Sequence, residues 1–274
     1  MSRTKLIVAL ALLIAFLAGC AQITATRTAA PVSALDRILQ KKTLVVGTSG
    51  NMPPLNMINK QGRVFGYEAD MAQMMADAMG VNVSFATMPF AELLPALEAG
   101  KIDIILSGMT ITPQRNLKVA FVGPYFQSGK AFLTKIERIA NAKSPKEINN
   151  PNTTIVALKD STSQYFVEQT IPKARLIKAK DYNEAVNLVL QDKADAMVAD
   201  YPICVISVFR YPDHGLLSVI TPFTYEPIGI AMPQDPALMN WMQNFLAILD
   251  GTGRLDDLEA RWFEHASWLK EMKD

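Results

Sequence analysis

Residues 107–115 read Ser107-Gly108-Met109-Thr110-Ile111-Thr112-Pro113-Gln114-Arg115 and directly follow the β-rich run Asp103-Ile104-Ile105-Leu106. Thr112 followed by Pro113 is a helix-start signature. A threonine hydroxyl accepts from the unpaired amides of the first turn, and proline has no amide to leave unsatisfied there. Arg115 then falls in a first helical turn, where the positive end of the helix dipole disfavours a cation. An anion between the two resolves that conflict, because a guanidinium grips a carboxylate through two parallel hydrogen bonds. Thr110 and nearby backbone amides would add donors. A solvated surface arginine is the alternative reading of the same residue.

A second turn has comparable chemistry. After Thr154-Ile155-Val156-Ala157-Leu158 come Lys159-Asp160-Ser161-Thr162-Ser163, then the helical Gln164-Tyr165-Phe166-Val167. Ser161 and Thr162 are cap-type residues, with hydroxyls that serve either the helix or a ligand. Asp200, at the end of Asp195-Ala196-Met197-Val198-Ala199, either caps the next helix or presents a carboxylate to an ammonium group. Arg115 and Asp200 together would clamp a zwitterion, each charge-assisted hydrogen bond contributing about 1.5–3 kcal/mol. Closure of two lobes on one ligand would exclude water, as in hinged binders.

The elements that must position these turns alternate in type. Leu44–Gly47, Val83–Phe85, Asp103–Leu106, Thr154–Leu158 and Asp195–Val198 read as strands. Helical spacing links Tyr67, Met71, Met74, Met75 and Ala78, then Phe90, Leu93, Leu94 and Leu97, then Tyr182, Val186, Val189 and Leu190, and last Leu238, Trp241, Met242, Phe245 and Leu249. The methionine stripe reads as core. This alternation predicts an α/β fold with mainly parallel sheets, in which ligands bind at the carboxyl edges of the strands. The polar stretch 138–152, with Ser144-Pro145 and Asn149-Asn150-Pro151, reads as a lobe boundary. The runs Lys130–Thr134 and Tyr225–Met232 would carry the chain out and back.

Composition narrows the function. The 274 residues are 50% hydrophobic and 19% charged with a net charge of +1, which excludes a disordered chain and a nucleic-acid or polyphosphate binder. His214 and His265 lie in no ligand-spaced cluster, and no nucleotide, hydrolase or metal motif occurs, so neither a cofactor nor a metal is expected. Arg3 and Lys5 precede twelve uncharged residues, Leu6 to Leu17, too short to span a bilayer and suited to an export signal. Leu17-Ala18-Gly19-Cys20 resembles the bacterial lipobox, which implies lipidation of Cys20, a periplasmic or cell-surface location and a membrane tether. Residues 20–34 read as the lipidated cysteine and a flexible linker. Cys204, among Ile203, Val205 and Ile206, reads as a buried small hydrophobe.

From Leu35 to Trp268 the chain resembles the family 3 extracytoplasmic solute-binding proteins, the polar amino-acid receptors of ABC importers. Gly66-Tyr67-Glu68-Ala69-Asp70-Met71 resembles the family's G-[aromatic]-[acid]-x-[acid]-[aliphatic] signature. Ser107 to Arg115 with Phe121-Val122-Gly123-Pro124-Tyr125 resembles its S-x-x-x-x-T-x-x-R and F-S-x-P-Y block. Lys193-Ala194-Asp195-Ala196-Met197-Val198-Ala199-Asp200 resembles G-x-x-D-A-x-x-x-D. The resemblance implies a two-lobed type II periplasmic-binding-protein fold with a cleft between lobes joined by two extended hinge strands. Lobe 1 would comprise residues 35–132 and 224–274, and lobe 2 residues 133–223, after a signal peptide over 1–19.

It also implies that Arg115 binds a ligand α-carboxylate with Thr110 and Thr162 beside it. Asp200 would bind the α-ammonium with acceptors around Ser107 and Gly108, and Phe90 would pack on the ligand. Glu68 and Asp70 would be structural. Ser49, Met52 and Leu55 stand where the family often has an acid and aromatics, so a neutral or apolar ligand side chain, or an organic acid, is expected rather than lysine or arginine. Met52 and Met109 are further pocket candidates. Asp160 stands where the family favours glycine. Cyclohexadienyl and arogenate dehydratases resemble the same family but carry a glutamate that aligns with Gln164, which cannot deliver a proton. The expected partners are the ligand, an ABC permease and the membrane, with the protein itself a monomer; a ligand-sensing receptor that feeds a separate signalling protein is the other alternative to an importer.

Overall fold

The structure is a computed structural model and describes residues 32–265 and 267–272. The expected signal segment and Cys20 lie outside the described residues. The first half runs α1 (Ala34–Lys41), β1 (Thr43–Thr48), β2 (Asn51–Met52), β3 (Asn56–Ile58), β4 (Val64–Phe65), α2 (Tyr67–Met79), β5 (Asn82–Thr87), α3 (Phe90–Glu98), β6 (Ile104–Ile105), α4 (Pro113–Asn116) and β7 (Ala120–Ser128). It continues with β8 (Lys130–Thr134), α5 (Glu137–Ala140), β9 (Thr154–Leu158), α6 (Thr162–Thr170), β10 (Arg175–Ala179), α7 (Tyr182–Leu190), β11 (Ala196–Asp200), α8 (Tyr201–Arg210) and β12 (Leu217–Ser218). It closes with β13 (Glu226–Met232), α9 (Pro236–Gly251) and α10 (Arg254–Glu259).

Two five-stranded sheets have the same plan, with orders β5-β1-β6-β13-β7 and β10-β9-β11-β8-β12. In the first, β1 pairs in parallel with β5 and β6, while β13 runs antiparallel to β6 and β7. In the second, β9 pairs in parallel with β10 and β11, while β8 runs antiparallel to β11 and β12. The sheets are thus mixed, not mainly parallel. The strands that leave and enter each sheet run against the βαβ strands. The three fully buried strands of the second sheet, β8, β9 and β11, are covered on both faces, so their apolar runs are continuous instead of alternating.

The boundaries differ from the sequence expectation at three places. Ser33 caps α1, its Oγ accepting from Asp36 N at 3.0 Å, and the Ala34 amide donates to Asp235 Oδ2 at 2.7 Å. Residues 33 and 34 therefore belong to the fold and not to the linker. The division between 132 and 133 falls inside β8, which lies wholly in the second sheet. The chain crosses instead at Gly129, between β7 and β8. There the backbones approach so closely that a Cβ on Gly129 would lie 2.3 Å from the Thr224 carbonyl oxygen. The polar stretch 138–152 is not a crossing: it holds α5, which packs on β8 and β12, and a short capped turn at Pro145–Ile148.

The C-terminal helices return to the first sheet. Trp262 Nε1 donates to Asp70 Oδ2 at 2.8 Å, Arg261 pairs with the same carboxylate oxygen at 3.0 Å, and the Phe263 ring stacks on Phe126. Among the described residues no helix is long and apolar enough to cross a membrane. Cys204 is a fully buried free thiol.

Candidate functional site

The parallel strands of both sheets end at one set of turns. β6 runs into Leu106, Ser107 and Gly108; β9 runs into Asp160, Ser161 and α6; β11 ends at Asp200. Thr112 caps α4 as its sequence dictates, its Oγ1 accepting from Arg115 N at 3.2 Å with Pro113 in the first turn. This places Arg115 in the interior, 9% exposed. Its Nη1 donates to the Thr110 carbonyl at 2.9 Å and its Nη2 to the Asp160 carbonyl at 3.4 Å. The guanidinium lies 5.6 Å from the centroid of Phe90, within cation–π range.

No carboxylate among the described residues forms an ion pair with Arg115. Burial pulls its pKa below the usual guanidinium value, against the Coulombic pull of Tyr165, Glu226, Asp200 and Tyr182. A buried guanidinium with five donors and two neutral carbonyl partners keeps donors free to receive an anion.

Glu68 holds the first-sheet side of the site in place. It opens α2, is buried, and accepts from Gly108 N at 2.7 Å, from Asn56 Nδ2 at 2.6 Å and from the Tyr125 hydroxyl. Asn56 Oδ1 in turn accepts from Gly50 N at 2.8 Å and Ser49 Oγ at 3.2 Å. Ser107 Oγ accepts from Ser49 N at 2.9 Å and donates to Ser49 Oγ at 3.0 Å. The structure brings Ser49, Ser107 and Gly108 together, with both serine hydroxyls engaged by this network. Met52 and Leu55 are buried beside Gly108, whose φ is +59° and whose Cβ position would lie 2.0 Å from Met52 Sδ. Met109 is fully buried in the core, and its carbonyl accepts from Gly229 N at 3.1 Å.

On the second sheet the two cap-type residues divide their roles. Ser161 is the N-cap of α6: its Oγ accepts from Gln164 N at 3.2 Å and donates to the Leu158 carbonyl at 2.6 Å. Thr162 Oγ1 points instead to the first sheet's turn, 3.3 Å from Thr110 Oγ1. Asp160 takes the left-handed conformation, φ +57°, that explains a family preference for glycine there, and aspartate tolerates it better than most residues. Gln164 is engaged at both ends of its amide, accepting from Asp160 N at 2.8 Å and donating to Glu168 Oε1 at 3.0 Å.

Asp200 stands at the N-cap of α8 but makes no capping bond. Its Oδ1 accepts from Lys130 Nζ at 3.0 Å, and Lys130 Nζ also lies 3.4 Å from Glu226 Oε2. All three residues are buried. Sequence reasoning missed Lys130 and Glu226. The available signal was a charge opening each of two crossing strands that are otherwise nearly all apolar. Tyr182, at the start of α7, is also buried here; burial, then Asp200, raises its pKa. His214 and His265 are exposed and far in sequence from these turns, and no metal-ligating cluster occurs among the described residues.

Comparison with known proteins agrees with this geometry. The description of bacterial extracellular solute-binding proteins, family 3, matches residues 44–265. The cyclohexadienyl dehydratase of Pseudomonas aeruginosa is 25% identical over 253 residues, covering 92% of this chain and 94% of its own. A putative ABC-transporter binding component from Wolinella succinogenes, solved with lysine, has a TM-score of 0.80 at 36% identity, covering 84% of this chain and all of its own. An ancestral amino acid-binding protein, a precursor of cyclohexadienyl dehydratase, has a TM-score of 0.78 at 35% identity over 84% of this chain and all of its own. With two α/β sheets whose strand edges meet at one buried arginine, the chain belongs to the bacterial extracellular solute-binding proteins, family 3.

Proposed function

We propose that this protein is a monomeric, lipid-tethered receptor. It binds an amino acid or similar small carboxylate between its lobes and delivers it to an ABC importer. The carrying observation is Arg115: a buried guanidinium whose polar partners are two backbone carbonyls. It binds the carboxylate, with Thr110 and Thr162 beside it and Phe90 against its face. Met52 and Leu55 turn an apolar surface to the ligand side chain, and Ser49, its hydroxyl bonded to Asn56 and Ser107, offers no charge there, which favours neutral or apolar ligands. Lobe 1 comprises the first sheet with the C-terminal helices, and lobe 2 the second sheet.

The test is calorimetry of amino and organic acids against the wild type and Arg115→Ala. Loss of two charge-assisted hydrogen bonds, about 3–6 kcal/mol, weakens binding by about 10²–10⁴-fold. Unchanged binding by the variant rejects the reading. For the tether, Cys20→Ala is expected to release the protein from membranes, and retention of the variant there rejects lipidation.

A second reading, a dehydratase, is favoured by the relative from Pseudomonas aeruginosa. Catalysis of that kind needs an acid placed to protonate a leaving hydroxyl. Gln164 has no such proton, and both ends of its amide are already bonded within its own lobe. Incubation with prephenate or arogenate is expected to yield no phenylpyruvate or phenylalanine.

A further inference from the structure

The chain passes between the sheets twice, from β7 to β8 and from β12 to β13, and both crossings lie to one side of the Arg115 turn. In the first sheet β6 is followed outward by β13 and then by the edge strand β7; in the second, β9 and β11 are followed by β8 and then by the edge strand β12. The crossings are stitched to each other. Glu226 of β13 pairs with Ser128 of β7, the Lys130 amide donates to Thr224 Oγ1 at 2.9 Å, and the Tyr201 amide donates to the Gly129 carbonyl at 2.8 Å. Residues 128–130 and 224–226 are therefore the axis about which one sheet can turn on the other.

On the Arg115 side of this axis the two halves touch: Thr110 Oγ1 lies 3.3 Å from Thr162 Oγ1, and Arg115 reaches the Asp160 carbonyl at 3.4 Å. On the far side they stand apart around a groove of about 530 Å³. Phe126 of β7 and Phe263 form one wall, and Tyr201, Val205 and Ile206 of α8 form the other, with Pro222 after β12 at its end. The groove is thus bounded by the edge strands, beyond the crossing strands from the carboxylate site. Val205 and Ile206 are half-buried apolar side chains on its wall, so volume added at either position enters the groove. Turning about an axis widens one side as it narrows the other. Opening the cleft to admit a ligand brings the rear walls together, and packed side chains resist overlap.

We propose that this groove behind the hinge sets ligand affinity, with Val205 and Ile206 as positioning residues, an inference that rests on the interlobe site proposed above. The bulk they place in the groove decides how far the lobes open, and so what fraction of ligand-free molecules is closed. A ligand that needs the closed form binds with an affinity scaled by that fraction. Side chains that never touch the ligand therefore change affinity for every ligand alike, leaving selectivity among ligands unaltered.

Val205→Trp in the full chain tests this by two measurements. Hydrogen exchange of the ligand-free protein reads closure: amides in segments 107–115 and 159–165, which meet when the cleft is shut, are expected to exchange more slowly than in the wild type. Calorimetry uses glutamine, histidine, phenylalanine and phenylpyruvate. Each one that binds the wild type is expected to bind the variant about tenfold more tightly, the gain when a closed form about one-tenth populated becomes dominant. Unchanged exchange, or unchanged or weaker binding, overturns the role of the groove. Tightening of one ligand with loosening of another overturns it too, because that pattern marks a contact with the ligand. If none of the four binds the wild type, the carboxylate site falls; slower exchange in the variant then still supports the groove, and unchanged exchange overturns it. Ile206→Trp, on the same wall, takes the place of Val205→Trp should that variant fail to fold.

Discussion

Thr110 Oγ1 lies 3.3 Å from Thr162 Oγ1, so a single hydrogen bond joins the turn after β6 on the first sheet to the first residue of α6 on the second. The bond lies beside the Arg115 guanidinium, which reaches across to the Asp160 carbonyl. Two strand-edge turns thus meet over one buried charge, and the neighbouring Ser161 hydroxyl is committed to its own helix.

This division of labour separates two substitutions. Ser161→Ala removes the N-cap of α6 and is expected to lower stability by about 1 kcal/mol, read as a shift in the denaturation midpoint. Thr162→Val removes the contact to Thr110. It is expected to weaken ligand binding about fivefold, the equivalent of about 1 kcal/mol, with a smaller effect on the midpoint of the ligand-free protein. The reverse pattern would reassign the two hydroxyls.

Glu68 gives the stability a pH signature. Burial raises its pKa, against the hydrogen bonds from Tyr125, Gly108 and Asn56. The folded chain therefore keeps a proton on Glu68 at pH values where the unfolded chain has released it. Stability falls as pH rises from the ordinary glutamate value, about 4.3, through the raised value. Thermal unfolding across that range is expected to show the wild type losing stability relative to Glu68→Gln, which has no proton to release. Parallel pH profiles would refute the assignment.

Gly129 sets the crossing between the sheets. A methyl group there meets the Thr224 carbonyl oxygen at 2.3 Å, an atom of the backbone that cannot swing away. Gly129→Ala is expected to cost about 1–3 kcal/mol, the usual penalty of overpacking, measured by chemical denaturation.

Cys204 is expected to be inert in the folded protein. Burial, and then the nearby Asp200, pushes its thiol far above the usual range. Iodoacetamide at mildly alkaline pH should leave the Cys204 peptide unmodified until denaturant is added, as read by mass spectrometry. Rapid labelling under native conditions would contradict the packing of α8.

What the sequence alone settled about this protein was local. Thr112-Pro113 started α4, Ser161 and Thr162 marked the start of α6 without saying which of them caps it, and the apolar runs of β1, β9 and β11 stood out, because caps and hydrophobic period act over a few neighbouring residues. The strand-edge placement of Arg115 and Asp200 followed from those same boundaries. Their surroundings did not. Lys130 reaches Asp200 across 70 residues of chain, Arg115 reaches Asp160 across 45, and Glu68 reaches Gly108 across 40. Such pairs exist once two sheets are folded and their edges brought together. Burial then makes each charge seek a partner, and no residue spacing records which one it finds. The tertiary structure therefore decided that Asp200 faces a lysine, that Glu68 ties the Ser49 and Ser107 loops, and that the guanidinium of Arg115 pairs with no carboxylate among the described residues.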